Sequence, residues 1–201
     1  MKVLLCLLLG YLLGCVSPAY FLSRRRGFDI RTKGSGNAGA SNTAVLMGWR
    51  FGILVALADV SKGAGAVLAA RALFPDLGGA GLIAGAACVL GHIFPFYLRF
   101  RGGKGFASYM GMALAFNWKT GLVLAAVAVV ITVVSDYIAP ATMATVILFP
   151  LHLLPGRTAP LPLWLLGAVA LVVFWKHLEN FRRIARGQEV GLRGVGSHPK
   201  V

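Results

Sequence analysis

Negative charge is what this sequence has least of. Six Asp and Glu residues stand against 20 Lys and Arg among 201 residues, and charged residues of both signs make up only 13% of the chain. A soluble domain carries about 25% charged residues, so this chain cannot coat a water-exposed globule of its size. Cysteine is scarce too. Cys6, Cys15 and Cys88 are odd in number and lie inside apolar runs, which suits small membrane-core residues and not a disulfide framework. The four histidines, His92, His152, His177 and His198, lack metal-ligand spacing with any cysteine or carboxylate. No metal and no other cofactor is expected. The net charge of +14 comes without a soluble basic domain or a nucleic-acid motif, which excludes nucleic acid as the partner.

What is present is apolar: 58% hydrophobic residues and a mean hydropathy of +0.77. A helix of about 20 apolar residues crosses a hydrocarbon core roughly 30 Å thick. Apolar segments recur at about 3–23, 51–73, 79–98, 108–116, 120–134, 137–154 and 161–175. The first resembles a lipoprotein signal through Leu12-Leu13-Gly14-Cys15, but it continues to Phe21 and stops at Arg24, Arg25 and Arg26, as a retained span does. The fourth is too short to cross alone at about 1.5 Å per residue, and could fuse with the fifth through Asn117-Trp118-Lys119.

Basic residues decide the count, because Lys and Arg in short loops mark the cytoplasmic side. Arg24, Arg25, Arg26, Arg31, Lys33 and Arg50 precede the second segment. Arg99, Arg101 and Lys104 follow the third, and Lys176, Arg182, Arg183, Arg186, Arg193 and Lys200 follow the last. To bring all three groups to one face, the short fourth segment must count as its own crossing, thinned or partly re-entrant. The expected architecture is an all-α integral membrane protein, one polytopic domain over 1–201. It is a bundle of about seven transmembrane helices with the N-terminus outside, the C-terminus cytoplasmic and a short basic tail from about 182. The same cations attract anionic lipid headgroups.

Three segments on that face carry possible chemistry. The first loop holds Gly34-Ser35-Gly36-Asn37-Ala38-Gly39-Ala40-Ser41-Asn42. Its formal G-x-G-x-x-G has no strand before it and no βαβ unit around it, so the dinucleotide reading fails. Glycine backbone with Ser and Asn side chains can still cradle an anion; the alternative is a flexible loop. The second loop reads Gly91-His92-Ile93-Phe94-Pro95, then Phe100-Arg101-Gly102-Gly103-Lys104-Gly105. Leu98 and Gly105 stand where a Walker A loop needs Gly and Ser or Thr, which excludes nucleotide hydrolysis of that type. Three glycines around Lys104 suit a phosphate, or else an interface anchor. At the end of the last segment, His177 and Asn180 are three apart and share a helical face. Asp59 and Lys62 lie one turn apart within the second segment and read as a mutual ion pair, since intramembrane charges are costly when unpaired. His152 reads as structural.

Together these segments resemble the bacterial acyl-phosphate:glycerol-3-phosphate acyltransferase family over nearly the whole chain. The first family motif corresponds to Gly34 through Asn42, the second-span pattern to Asp59 with Lys62-Gly63, followed by Gly91 through Pro95 and Phe100 through Gly105. The third corresponds to His177, Asn180, Arg183, Gly187 and Glu189. The resemblance implies transfer of a fatty acyl group from acyl phosphate to the 1-hydroxyl of glycerol 3-phosphate, giving lysophosphatidic acid and phosphate, in phospholipid biosynthesis at a bacterial inner membrane. The active site would face the cytoplasm, the partners would be the two substrates and membrane lipids, and no obligate protein partner is expected. Ser35, His177 and Asn180 would be catalytic. Asn37, Ser41, Asn42, Gly102, Gly103, Lys104 and Gly105 would bind substrate, with His92, Asp59, Lys62 and Glu189 as structural support.

Two positions depart from the family pattern. Val45 stands where the family has Arg, and Gly191 where it has Lys; Arg50 or a tail arginine such as Arg193 is expected to compensate. The alternatives are a weakly active or non-catalytic paralogue that binds lipid phosphates and a small anion transporter, the latter disfavoured because no inverted repeat is evident. An acyl-CoA-using acyltransferase of the soluble-domain type is disfavoured as well, since Tyr97, Arg157 and Arg182, not Asp, stand five residues after His92, His152 and His177.

Overall fold

The computed structural model describes residues 1–156 and 158–195, and every regular element among them is helical. Arg157, His198 and Lys200 lie outside the described residues. Five helical stretches are long and apolar enough to cross a membrane: Lys2–Arg25, Trp49–Leu73, Ala80–Leu98, Trp118–Ser135 and Pro160–Ala185. Phe106–Phe116 and Ile138–Leu153 are shorter apolar helices beside them. The protein is therefore a multi-pass membrane protein. In chain order the helices are α1 (Lys2–Cys15), α2 (Pro18–Arg25), α3 (Ala40–Met47), α4 (Trp49–Leu73), α5 (Ala80–Ile93), α6 (Phe106–Phe116), α7 (Trp118–Ser135), α8 (Ile138–Leu153) and α9 (Pro160–Ala185).

The first apolar run is not one helix. Pro18 lacks an N–H and pushes Ser17 into an extended conformation, φ −114° and ψ 92°, so α1 ends and α2 starts afresh. The carbonyls released at the break are bonded from elsewhere: Tyr97 donates to Cys15 O at 2.9 Å and Lys62 to Val16 O at 2.7 Å. Asn117, extended at φ −148°, keeps α6 and α7 separate, and its side chain caps α7 by accepting from Thr120 N at 3.1 Å. Arg71 of α4 donates to Ala115 O and Phe116 O, both at 2.9 Å, and so closes the last turn of α6. His152 pairs with Thr120 across α7 and α8 at 3.2 Å.

The helices meet through small residues. No Cβ fits at Gly10 or Gly14 of α1, which lie on the α5 backbone at Ala84 and Cys88, nor at Gly63 and Gly111 where α4 crosses α6. Such contacts let backbones approach where lipid supplies no hydrophobic drive between helices. Tyr109, Met112, Phe149, Leu166 and Val173 form the centre of the core, while Leu4, Leu57, Val130 and Leu171 point outward as a lipid-facing surface would. The last helix runs ten residues past its apolar stretch, so Arg182 and Arg183, expected to begin the tail, occupy its final turn, where cations suit the helix dipole.

Candidate functional site

Buried Asn42 organises the first loop. Its Nδ2 lies within hydrogen-bonding distance of Ile30 O (3.2 Å), Lys33 O (3.1 Å) and Asn37 O (3.1 Å), and its Oδ1 accepts from Ser35 N at 3.0 Å. The side chain is engaged by backbone and lines neither cavity described below; it builds the loop that presents Ser35 and Asn37. Gly34 and Gly36 take positive φ, 58° and 69°, within that loop. Arg31 grips Asp29 (Nη2 to Oδ2 at 2.6 Å) and donates to Leu98 O at 2.7 Å, joining the first loop to the second. The Arg31 hydrogen bond holds the Asp29 carboxyl below the usual carboxylate range.

The second loop folds back on the end of α5. Gly102 N donates to Ile93 O at 3.0 Å and Gly103 N to His92 O at 3.1 Å. A Cβ at Gly102 would strike His92 O, and one at Gly103 the His92 imidazole. These two N–H groups are occupied by α5, and glycine is required there for close approach. Lys104 is the group this loop delivers. Its Nζ bonds Asn180 Oδ1, and burial, reinforced by the Arg183 guanidinium, lowers its pKa to about 8.

From Lys104 the contacts continue. Asn180 Nδ2 donates to Glu189 Oε1 at 2.6 Å and Arg183 Nε to Glu189 Oε2 at 2.6 Å. An ammonium only donates and a carboxylate only accepts, which fixes the orientation of the Asn180 amide between them. Glu189 comes back onto α9 because Gly187, at φ 66°, reverses the chain, with Gly187 N bonding Ile184 O at 3.0 Å and Gln188 N bonding Arg183 O at 2.8 Å. That pair of bonds is a Schellman motif. His177, one turn before Asn180 and 3% exposed, places Nδ1 at 2.8 Å from Val173 O. A carbonyl can only accept, so Nδ1 carries the proton and the neutral ring keeps a lone pair on Nε2.

The Asp59–Lys62 pair closes at 2.8 Å as the sequence suggests. The sequence does not reveal its third member: His92 Nδ1 lies 2.8 Å from Lys62 Nζ and 3.3 Å from Asp59 Oδ1. The Lys62 ammonium can only donate, and it bonds Val16 O and His92 Nδ1, while the Asp59 carboxylate balances its charge. His92 Nδ1 is thus an acceptor and its Nε2 carries the hydrogen beside Gly103.

Two cavities meet here. One, of about 360 Å³, runs between α3, α4 and α6 with the apolar walls Ala44, Val45, Ile53, Ala56, Val60 and Met110, and a polar end at Ser35, Ser41, Lys104, His177, Asn180 and Glu189. The other, of about 510 Å³, is lined by Arg31, Arg101, Gly102, Lys104, Lys176, Arg182 and Arg183. Ser35, Asn37 and Lys104 line both. Gly105, Asp59 and His92 line the first, and Gly103 lines neither.

Sequence reasoning missed Arg31, Arg101 and Lys176 as cavity cations, and Asp136 in the α7–α8 turn. For Val45 and Gly191 it offered Arg50 or Arg193 as compensation. Arg50 is exposed and lines neither cavity, while Arg193 donates through its backbone to Asp136 Oδ1 (3.0 Å) and through its side chain to Val133 O (3.2 Å). Val45 forms part of the apolar wall.

Comparison with known proteins finds one family. A family model described as glycerol-3-phosphate acyltransferase matches residues 4–187. A glycerol-3-phosphate acyltransferase of Coxiella burnetii is 38% identical over 192 residues, covering 94% of this chain and 97% of that protein. One from Thermus thermophilus is 40% identical over 190 residues, covering 91% and 92%. The crystal structure of PlsY, an integral membrane glycerol 3-phosphate acyltransferase, in its glycerol 3-phosphate form superposes with a TM-score of 0.86 at 29% identity over 96% of each chain. Its lysophosphatidic acid form gives 0.83 at 28% identity, over 98% of this chain and 100% of that one.

Proposed function

This chain belongs to the glycerol-3-phosphate acyltransferase family, and from that membership we propose that it transfers a fatty acyl group from acyl phosphate to the 1-hydroxyl of glycerol 3-phosphate, producing lysophosphatidic acid and phosphate for phospholipid synthesis. The observation that carries the proposal is the pair of cavities of opposite character sharing Ser35, Asn37 and Lys104. The basic cavity suits the water-soluble glycerol phosphate. The apolar one suits the acyl donor, and its rim residues Trp49 and Ile53 are exposed where lipid would be, so the chain of the donor can slide in from the bilayer.

An acyl phosphate is already activated, so the site has mainly to position two anions and stabilise an oxyanion. The 1-hydroxyl oxygen attacks the acyl carbonyl carbon and the carbon–oxygen bond to phosphate breaks. His177 Nε2 takes the hydroxyl proton and passes it to the departing phosphate. Lys104 faces phosphate from the mouth of both cavities, held there by Asn180. The Ser35 hydroxyl orients the reacting groups without forming a covalent bond, and the uncapped N-terminus of α6, at Phe106 and Ala107 on the cavity wall, offers N–H groups to the developing negative charge.

The same reading makes the chain one membrane domain of seven crossings in a bacterial inner membrane, with α6 and α8 as short spans, the N-terminus outside, and the site and basic tail in the cytoplasm. The distribution of Lys and Arg supports this orientation. The test is purified protein in lipid vesicles given glycerol 3-phosphate and either palmitoyl phosphate or palmitoyl-CoA. We expect phosphate release and lysophosphatidic acid from palmitoyl phosphate alone. Tight binding of glycerol 3-phosphate with no product from either donor would favour a non-catalytic lipid-phosphate binder, the reading to which Val45 and Gly191 point.

Lys104 sets a pH dependence. Its ammonium is needed to hold phosphate, and its pKa in the free protein is about 8. The kcat/KM for glycerol 3-phosphate should therefore be level near neutral pH and fall as pH rises through about 8, approaching tenfold per unit beyond it. Lys104→Arg, whose guanidinium stays charged, should lower activity near neutrality and carry the fall to higher pH.

A further inference from the structure

Residues 186–195, beyond α9, follow a fixed path that the mechanism above does not use. Leu192 N donates to Asp136 O at 2.8 Å, Arg193 N donates to Asp136 Oδ1 at 3.0 Å, and the Arg193 guanidinium reaches Val133 O at 3.2 Å. Asp136 sits in the two-helix turn between α7 and α8, in the left-handed conformation at φ 68°. Gly191 lies so tightly on its carboxylate that a Cβ would collide with Oδ2. Upstream, the tail delivers Glu189 to Asn180 and Arg183. Between these two attachments Val190, Gly191 and Leu192 form a wall of the apolar cavity.

We infer that Asp136 is a positioning residue for acyl transfer: by clasping the tail at Gly191–Arg193 it holds Glu189 against Asn180 and shapes the donor side of the site. The inference rests on the acyltransferase reading. Glycine at 191 is what makes the clasp possible, because any side chain there would displace the carboxylate from the tail backbone. No described residue of the tail beyond α9 lines the basic cavity, so the clasp acts on the donor side directly and reaches the acceptor cavity only indirectly, through the Asn180–Lys104 and Glu189–Arg183 contacts.

Asp136→Gly is the informative variant, since glycine accepts the left-handed turn without strain and removes only the carboxylate. In the vesicle assay we expect its KM for palmitoyl phosphate to rise about fivefold and kcat to fall about tenfold, with KM for glycerol 3-phosphate within twofold of wild type. A partly unfolded preparation would change neither KM. Asp136→Asn, which keeps an acceptor oxygen, should recover most of the loss. Gly191→Ala should reproduce the defect and add nothing in the Asp136→Gly background. Wild-type donor KM and kcat in Asp136→Gly, equal shifts in both KM values, or additive effects of the two substitutions would overturn the inference. If the wild type turns over neither donor, the acyltransferase reading fails, and amide hydrogen exchange at 189–193 decides the clasp by itself: faster exchange in Asp136→Gly upholds it and unchanged exchange overturns it.

Discussion

His177→Ala should lower kcat for acyl transfer about 10³-fold, within the 10²- to 10⁴-fold range of a removed general base, while KM for glycerol 3-phosphate stays within about threefold. The split follows from where the ring lies. His177 lines the apolar cavity, and the basic cavity that would hold the acceptor phosphate does not include it. Its Nδ1–H is committed to Val173 O at 2.8 Å, so the ring cannot easily rotate and Nε2 alone faces substrate. Single-turnover phosphate release from palmitoyl phosphate, with acceptor binding measured separately by calorimetry, checks both halves. Loss of binding with an unchanged rate for the bound fraction would assign His177 to the acceptor phosphate and remove it from proton transfer.

Asp59→Leu is expected to be the most destabilising single change. It leaves the Lys62 ammonium, with a side chain only 8% exposed, facing one carbonyl and one imidazole without a counter-charge. Breaking a buried pair in this way costs about 3–5 kcal/mol, which for a chain of this size corresponds to a fall of roughly 10 °C in Tm. His92 loses its place as well, and with it the support under Gly103 and the loop carrying Lys104, so KM for glycerol 3-phosphate should rise in whatever fraction remains folded. The double variant Asp59→Leu/Lys62→Met removes both charges and should recover more than half of the lost stability, since a hydrophobic pair of similar volume is often neutral or better. Thermal unfolding in detergent micelles compares the three proteins. A double variant no more stable than Asp59→Leu would mean that the carboxylate acts by packing and not by compensating charge.

Residues that work within one helical turn were legible before any coordinates. Asp59 and Lys62, and likewise His177 and Asn180, are three apart, and a helix alone places such pairs on one face. The apolar runs announced the helices for the same local reason. His92 could not be assigned to the Asp59–Lys62 pair, because 30 residues and a helical hairpin separate it from Lys62. The second loop was ambiguous in a different way: a Gly-Gly-Lys-Gly run is compatible both with N–H groups around a phosphate and with backbone pressed onto a helix end. Only the contacts of Gly102 and Gly103 with Ile93 and His92 separate the two. Asn42 shows the same ambiguity, since a polar side chain beside glycines can meet a ligand or close its own loop.

By itself the sequence determined the solvent and the kinship of this protein. So few charges and so many apolar runs require lipid around the helices, and three ordered motifs place the chain in its family. The tertiary structure alone decided which polar groups are free to act. Close helix crossings at Gly10, Gly14, Gly63 and Gly111 bring the break at Ser17, the end of α5, the second loop and the turn of α9 into one place, where each buried donor must find an acceptor. That requirement occupies Asn42, Gly102 and Gly103, fixes the tautomers of His92 and His177, and leaves Lys104 and Nε2 of His177 facing the cavities.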